Sequence, residues 1–265
     1  MKVNHDSIPS SPMPMLATPD GHPGNPFVYL RVAITGGTSG LGLALVRELL
    51  NRGAKVAFVA RRRDGVEHVI QQLPDAHGIV GDIAQKEDIH PITMQIVGAL
   101  GGLDVLINNA SDLGPMPLKL LADTECEDLG RALATNVLGP FRLTKALLGS
   151  LAASAREGRR AVVVNVSSDA AVNAYPRWGA YGASKAALLH LSHIWDEELS
   201  QEGVRILSTD PGDMDTPLHA AAVPDADSST LKQPEVAARE LADAVGATLS
   251  RRSLGFDAIV RETIA

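Results

Sequence analysis

The chain has 265 residues, 45% of them apolar and 21% charged, with 31 acidic against 24 basic side chains and a net charge of −7. That composition supports a globular core and excludes disordered and collagen-like classes; the acidic balance argues against a dedicated nucleic-acid binder, whose footprint is a basic face. A lone cysteine, Cys126, cannot form an internal disulfide and reads as a small buried or partly buried side chain, which makes a reducing, cytoplasmic setting the default.

Residues 1–27 are rich in Pro, Ser and Gly and contain no apolar run long enough for a signal peptide or a membrane span. They are expected to form a flexible N-terminal extension, with the folded domain at 28–265. From Tyr29 onward, short β-branched runs alternate with longer stretches of helical period. The strands are "YLRVAI", "KVAFVA", "HGIVG", "LDVLIN", "RAVVVNVS", "VRILST" and a short "FDAIV". Helices are predicted at 41–52, 65–73, 87–99, 124–156, 179–202 and 235–250. Strands separated by helices need crossovers, so the fold class is α/β: a doubly wound parallel sheet of Rossmann type, helices on both faces, in a single domain. Helix ends agree with this division. Thr124 and Glu127 have capping-box spacing, and Pro234 suits a first helical turn. Leu41, Leu45, Val46, Leu49 and Leu50 put an apolar stripe on the first helix.

The first strand runs into "AITGGTSGLGLALV", where Gly36, Gly40 and Gly42 lie between strand and helix. Small residues there let the backbone approach a pyrophosphate, and the helix N-terminus offers it free N–H groups; a tight turn packed on the sheet is the alternative. The second strand ends at Ala60, followed by Arg61, Arg62 and Arg63, with no acid to accept from a ribose 2′-hydroxyl. Arg61 is either part of a solvated basic loop or the partner of a 2′-phosphate, its planar guanidinium also suiting adenine. Later, Tyr181 precedes Lys185 by one helical turn, a spacing at which the two side chains meet. A phenol near pKa 10 needs a neighbouring cation to serve as a base.

Taken in order, "TGGTSGLG", "GDI" at 81–83, "NNAS" at 108–111, "TNVLG" at 135–139, "NVSS" at 165–168, "YGASK" at 181–185 and "DPGDMDT" at 210–216 form one pattern. By these motifs the chain resembles the short-chain dehydrogenase/reductase family across residues 29–250. The resemblance implies an oxidoreductase that moves a hydride between NADP(H) and a carbonyl or secondary alcohol, with Tyr181 as general acid and base. Lys185 would bind the nicotinamide ribose and tune Tyr181. Ser168, 13 residues before Tyr181, is preferred over Ser167 as the donor to the substrate oxygen. Asn136 would hold a relay water on its backbone carbonyl. Pro140, four residues on, has no N–H to give that carbonyl, so the helix is expected to kink there. Cofactor contacts would come from Gly36, Thr38, Ser39, Gly40, Leu41, Gly42, Arg61 and Arg62, and from Asp82 and Ile83 at adenine. Asn109 and Ala110 would line the ribose, while Met214 and Thr216 would meet the carboxamide and pyrophosphate. NADP(H) is expected in preference to NAD(H), and a homodimer or homotetramer is expected through the helices carrying Asn136 and Trp195.

Three features depart from the pattern: Ser111 where glycine is usual, the short final strand, and Asp213 with Asp215 at the head of a substrate loop, about 213–233. The two acids either solvate and cap that loop or favour a cationic or polyhydroxylated substrate. Asp112, Tyr175, Trp178 and His219 are candidate substrate contacts. His190 and His193 share a helix face without a third ligand, so no metal is expected. A non-catalytic NADP(H)-sensing protein of the same fold is the alternative function, and the presence of Ser168, Tyr181 and Lys185 weighs against it.

Overall fold

The computed structural model describes residues 25–250. The expected strand "FDAIV", and most of the expected N-terminal extension, lie outside the described residues. Six parallel strands, β1 (Arg31–Thr35), β2 (Lys55–Ala60), β3 (Ala76–Val80), β4 (Val105–Asn108), β5 (Ala161–Val166) and β6 (Val204–Thr209), form one sheet in the order β3-β2-β1-β4-β5-β6. Alternation along each strand divides the core in two. Val32, Ile34, Val56, Phe58, Val105 and Ile107 face one layer, and Ala33, Ala57, Val59, Leu106 and Val163 face the other. Both faces are covered, which is why β5 reads as an unbroken buried run.

On the first face lie α1 (Gly40–Asn51), α2 (Arg63–Gln72) and α8 (Pro234–Ser250). On the second lie α3 (Lys86–Leu100), α5 (Gly139–Arg156) and α6 (Gly179–Leu199). The stripe on α1 is buried at Leu41, Leu45, Val46 and Leu49. Its partner α8 begins at Pro234, where a missing N–H costs nothing. Phe27 is 3% exposed, with the Arg52 guanidinium 4.9 Å from its ring centroid, so the packed chain already includes a residue that composition had assigned to the extension.

The helix expected at 124–156 differs in two respects. It starts one residue later than the capping box predicts, as α4 (Cys126–Leu133), because the Thr124 hydroxyl donates to the Leu120 carbonyl of the preceding 3-10 turn at Leu121–Asp123 instead of capping the helix. Glu125 is the N-cap and makes no side-chain capping bond; Cys126 is exposed rather than buried. A π turn at Ala134–Leu138 then interrupts the helix, with the Gly139 N–H reaching back five residues to the Ala134 carbonyl. Pro140 supplies the reason: it has no N–H for the Asn136 carbonyl, and widening the turn accommodates it without breaking the helix. The short helix α7 (Pro217–Ala222) sits inside the segment 213–233. Met214 bridges Lys232 at the base of that segment, whose ends are tied by Lys232 N–H to Asp213 and Asp215 N–H to Lys232.

At the end of the sheet opposite the strand C-termini, where the central strands β1 and β4 begin, Asp104 is 0% exposed and accepts from the Arg31 backbone (2.8 Å), from Arg31 Nε (3.0 Å) and Nη2 (2.6 Å), and from Ser154 Oγ. Burial alone would raise its pKa, but the Arg31 and Ser154 hydrogen bonds outweigh that and hold the carboxyl below its ordinary value. A depressed carboxyl stabilises the fold above its unfolded pKa, and that contribution is lost as pH falls through the folded one. Asp104→Ala leaves the Arg31 guanidinium without its main acceptor. It should lower stability by about 3–5 kcal/mol in urea unfolding at pH 7.

Candidate active site

The strand order reverses between β1 and β4, and above their C-terminal ends opens a cleft of about 1120 Å³. One end is made of backbone. Gly36 has φ +73°, a left-handed conformation, and a Cβ on Gly42 would overlap the Gly36 carbonyl oxygen. Side chains beneath the turn fix it. Thr35 Oγ1 accepts from the N–H groups of Asn109 and Ala110, both at 3.0 Å, and Asn109 Nδ2 donates to the Thr35 carbonyl at 2.9 Å. Ser39 caps α1 without a side-chain bond, and the first turn of α1 contains no acid. The cleft therefore meets free N–H groups at the positive end of a twelve-residue helix, an arrangement that fits a phosphate. Beside it lie Arg61 and Arg62. Arg62 is 3.5 Å from Asp64, whereas Arg61 has no ion-pair partner among the described residues.

The other end is made of side chains. Tyr181 and Lys185 stand on the first two turns of α6 and are 7% and 2% exposed. Lys185 Nζ donates to the Val166 carbonyl at the end of β5 (2.8 Å) and lies 5.4 Å from the Tyr181 ring centroid. Burial pushes this ammonium down to about 8, against an opposing pull from Asp210. Burial also pushes the Tyr181 phenol up, while the hydroxyls of Ser168 and Ser111 draw it back. In this arrangement the Lys185 ammonium lies over the ring, desolvation dominates at the phenol, and the two hydroxyls supply the opposing effect. Both Ser167 and Ser168 line the cleft, but it is Ser168 whose hydroxyl meets Tyr181. Ser168 Oγ also accepts from Ala170 N–H (3.2 Å) and donates to Asp169 Oδ1 (3.1 Å).

Asn136 is 1% exposed and stands behind the cleft rather than in its lining. Its Oδ1 accepts from Ser111 Oγ (3.2 Å) and Asp112 N–H (2.8 Å), and its Nδ2 donates to the Asp112 carbonyl (2.7 Å) and Ser184 Oγ (2.8 Å). Ser184 Oγ in turn donates to the Tyr181 carbonyl at 2.6 Å. The amide therefore pins the chain after β4 to the helix that carries Tyr181. Asp112, expected as a substrate contact, is turned away: its carboxylate accepts from Arg131 Nε (3.2 Å) and Gly114 N–H (2.8 Å), and it is not part of the lining.

All the other expected residues line the cleft: Gly36, Thr38, Ser39, Gly40, Leu41, Gly42, Asp82, Ile83, Asn109, Ala110, Met214, Thr216, Tyr175, Trp178 and His219, along with the arginines, Ser168, Tyr181 and Lys185. Trp178 packs edge-on to Tyr181 with ring centroids 5.7 Å apart. Lining residues that the motifs did not mark as site residues include Ser111 and Asp169. Ser111, noted only as a departure from glycine, lies close enough to Tyr181 for its hydroxyl to draw the phenol down. Asp169 accepts from Tyr175 Oη at 2.6 Å, a bond that pushes the Tyr175 phenol up; as a lone Asp after a strand it carried no sequence signal. Among the described residues no group of His, Cys, Asp and Glu could hold a metal ion, and no helix is long and apolar enough to cross a membrane.

A doubly wound sheet with a glycine cradle at its switch point and a Ser, Tyr and Lys at one corner defines a class of nucleotide-dependent oxidoreductase fold. The family model described as short chain dehydrogenase matches residues 31–227, and the chain belongs to that family. An uncharacterized oxidoreductase of Thermotoga maritima is 35% identical over 185 residues, covering 68% of this chain and 70% of the relative. The crystal structure of 3-ketoacyl-(acyl-carrier-protein) reductase from Brucella melitensis, complexed with NADH, superposes with a TM-score of 0.77 at 25% identity, covering 82% of this chain and 90% of that one. An alcohol dehydrogenase from Thermococcus sibiricus, complexed with 5-hydroxy-NADP, gives 0.72 at 26% identity and the same two coverages. The protein is an oxidoreductase of the short-chain type that uses a nicotinamide cofactor.

Lys185 carries a stability cost that follows from its burial. The unfolded chain holds the lysine proton up to its ordinary value of 10.5 and the folded chain only to about 8, so stability rises with pH between them and the full cost persists below 8. That cost is on the order of 3 kcal/mol. Without added nucleotide, Lys185→Met should gain about 1–3 kcal/mol in urea unfolding at pH 7, with the gain shrinking towards pH 10. An unchanged or lower midpoint at pH 7 refutes the assignment of a strained, desolvated ammonium.

Proposed function

We propose that the protein interconverts a carbonyl compound and its secondary alcohol, with NADP(H) as the preferred cofactor. The observation that carries this is the meeting of Ser168, Tyr181 and Lys185 at one corner of a cleft whose far end is an uncapped helix N-terminus in a glycine cradle. Hydride exchange is the chemistry that a bound nicotinamide supplies. The pyrophosphate would rest on the turn from Gly36 to Gly42, including Thr38, Ser39 and Leu41, with Thr216 beside it. Asp82 and Ile83 would flank adenine, Asn109 and Ala110 the adjoining ribose, Lys185 the nicotinamide ribose, and Met214 the carboxamide. Ser168 donates to the substrate oxygen and stabilises charge developing there. Tyr181 gives that oxygen its proton in reduction and takes it back in oxidation. A phenol raised by burial favours the donor role, and the Ser111 and Ser168 hydroxyls offset part of the cost of its anion. Asn136 holds α6 in position and, through its backbone carbonyl in the π turn, would take part in returning the proton.

Support for NADP(H) comes from β2. It ends at the buried Ala60, no carboxylate follows it directly, and Arg61 is exposed with its guanidinium unpaired among the described residues. The protein is proposed to act in the cytoplasm as a homodimer or homotetramer. Its contact would run through the face of the α5 and α6 helices, where Phe141 stacks on Trp195 at 5.1 Å and Ile194 is exposed.

Two measurements test this reading. Incubation with NADPH and a panel of ketones and aldehydes, following reduced-nicotinamide absorbance, should show turnover that Tyr181→Phe lowers by about 10²–10⁴-fold while NADPH binding is retained. Arg61→Ala should weaken NADPH by about tenfold or more with NADH little changed, the loss of a charge-assisted pair. Equal affinity for the two cofactors in the unaltered protein, or an Arg61→Ala variant with unchanged NADPH affinity, refutes the NADP(H) preference.

A further inference from the structure

Asp169 begins the 3-10 turn that follows β5, yet its carboxylate caps no backbone amide. That capping bond is made by Ser168, whose Oγ accepts from Ala170 N–H. The carboxylate is instead held from both sides by hydroxyls, Ser168 Oγ donating to Oδ1 at 3.1 Å and Tyr175 Oη to Oδ2 at 2.6 Å. It is exposed in the cleft and has no cationic partner among the described residues. An ionised carboxylate offers about four acceptor positions, so each oxygen keeps capacity beyond its present donor. Two hydroxyls are thus committed to aiming an unpaired carboxylate at the space beside Ser168 and Tyr181. The same part of the cleft is lined by apolar Leu113, Ala170 and Trp178, packed around Tyr181.

We infer that Asp169 selects the substrate: a carbonyl compound bearing a hydroxyl on the carbon next to the reacting one, so that the reduced product is a vicinal diol. This inference rests on the carbonyl chemistry proposed above. The 3.1 Å between Ser168 Oγ and Asp169 Oδ1 suits two oxygens on neighbouring carbons. When such a substrate binds, the Ser168 hydroxyl turns from Asp169 to the carbonyl oxygen, and the substrate hydroxyl donates to Asp169 in its place. No hydrogen bond is lost in the exchange, whereas a simple ketone would leave Oδ1 unpaired as Ser168 turned. The carbon skeleton then lies against Trp178 and Leu113. A substrate bearing a carboxylate or phosphate next to the reacting carbon meets like charge. An ammonium there would add a second cation to a cleft corner that already holds the buried Lys185 ammonium, which favours the neutral hydroxyl.

The test compares hydroxyacetone, 2-butanone and aminoacetone with NADPH, in the unaltered protein and in Asp169→Ala and Asp169→Asn. Thermal unfolding and NADPH binding identify which variants are folded. The unaltered protein should show kcat/KM for hydroxyacetone at least tenfold above that for 2-butanone, and also above that for aminoacetone. In Asp169→Ala the hydroxyacetone to 2-butanone ratio should fall about tenfold towards unity, with Asp169→Asn intermediate. The same ratio in either folded variant overturns the role of Asp169 and leaves the carbonyl chemistry standing, as does a preference for aminoacetone or 2-butanone in the unaltered protein. No turnover of any of the three ketones, nor of 1,2-propanediol with NADP⁺, overturns both.

Discussion

A lysine ammonium removed from water is the constraint around which the site is organised. Lys185 is 2% exposed, and its Nζ donates to the Val166 carbonyl. To make that bond, α6 must cross the C-terminal end of β5, and β5 must hold its register between β4 and β6, where Val164 pairs with Ile107 and Leu207. The helix then brings Tyr181, one turn earlier, over the same strand end, close to Ser168. A buried charge is expensive, and packing of α6 on the sheet and on the 3-10 turn at Asp169–Ala171 has to offset it. A site that strains its own fold in this way is common where catalysis needs a charge held in a dry place.

A chain of buried amides and hydroxyls supports that corner from below. Asn108 Nδ2 donates to Asn165 Oδ1 at 2.8 Å and Thr144 Oγ1 at 3.3 Å, Asn165 Nδ2 donates to Ser192 Oγ at 2.8 Å, and Ser192 Oγ donates to the Leu188 carbonyl. Two sheet strands and two helices, α5 and α6, are joined through it. Asn108 Oδ1 is buried without a partner, but the bonds made by Asn108 Nδ2, Asn165 and Ser192 are geometrically demanding and constrain how these elements meet. The floor of the cleft is tied together in this way. The segment 213–233 is different: it is held at its base by Lys232, whose Nζ reaches the Pro211 carbonyl and Glu240, and most of its side chains are exposed. Few buried contacts place such a segment at the low end of local stability, where substrate-covering segments are generally drawn from.

Electrostatics divides the cleft lengthwise. At the glycine turn the positive end of α1 lies near Arg61 and Arg62, and Asp169, Asp210 and Asp213 act on the corner of Tyr175, Tyr181 and Lys185. A net charge of −7 conceals this separation. One end suits phosphates and the other a neutral or hydroxylated partner, so the polarity of the cleft orients what enters it.

Sequence by itself determined the sheet, because β-branched runs separated by helical periods admit only parallel crossovers, and it marked the glycine turn, because glycines between a strand and a helix leave room for close backbone approach. It also placed Tyr181 and Lys185 on one helix face, since the i,i+4 spacing is local. Only the tertiary structure decided what each polar group meets. Nothing in "NNASD" tells that Ser111 reaches Tyr181 while Asp112 turns to Arg131, because both partners are distant in the chain and on α helices whose rotation packing sets. The direction of the Tyr181 pKa likewise depends on desolvation, a property of the enclosing fold. Thr124 and Glu127 had capping-box spacing, but a competing bond to Leu120 moved the helix start. Pro140 announced an irregularity, and the packed surroundings determined that it would be a π turn rather than a break. Asp169 was a single acid after a strand until Ser168 and Tyr175 were seen to hold it, since orientation by two hydroxyls exists only in three dimensions.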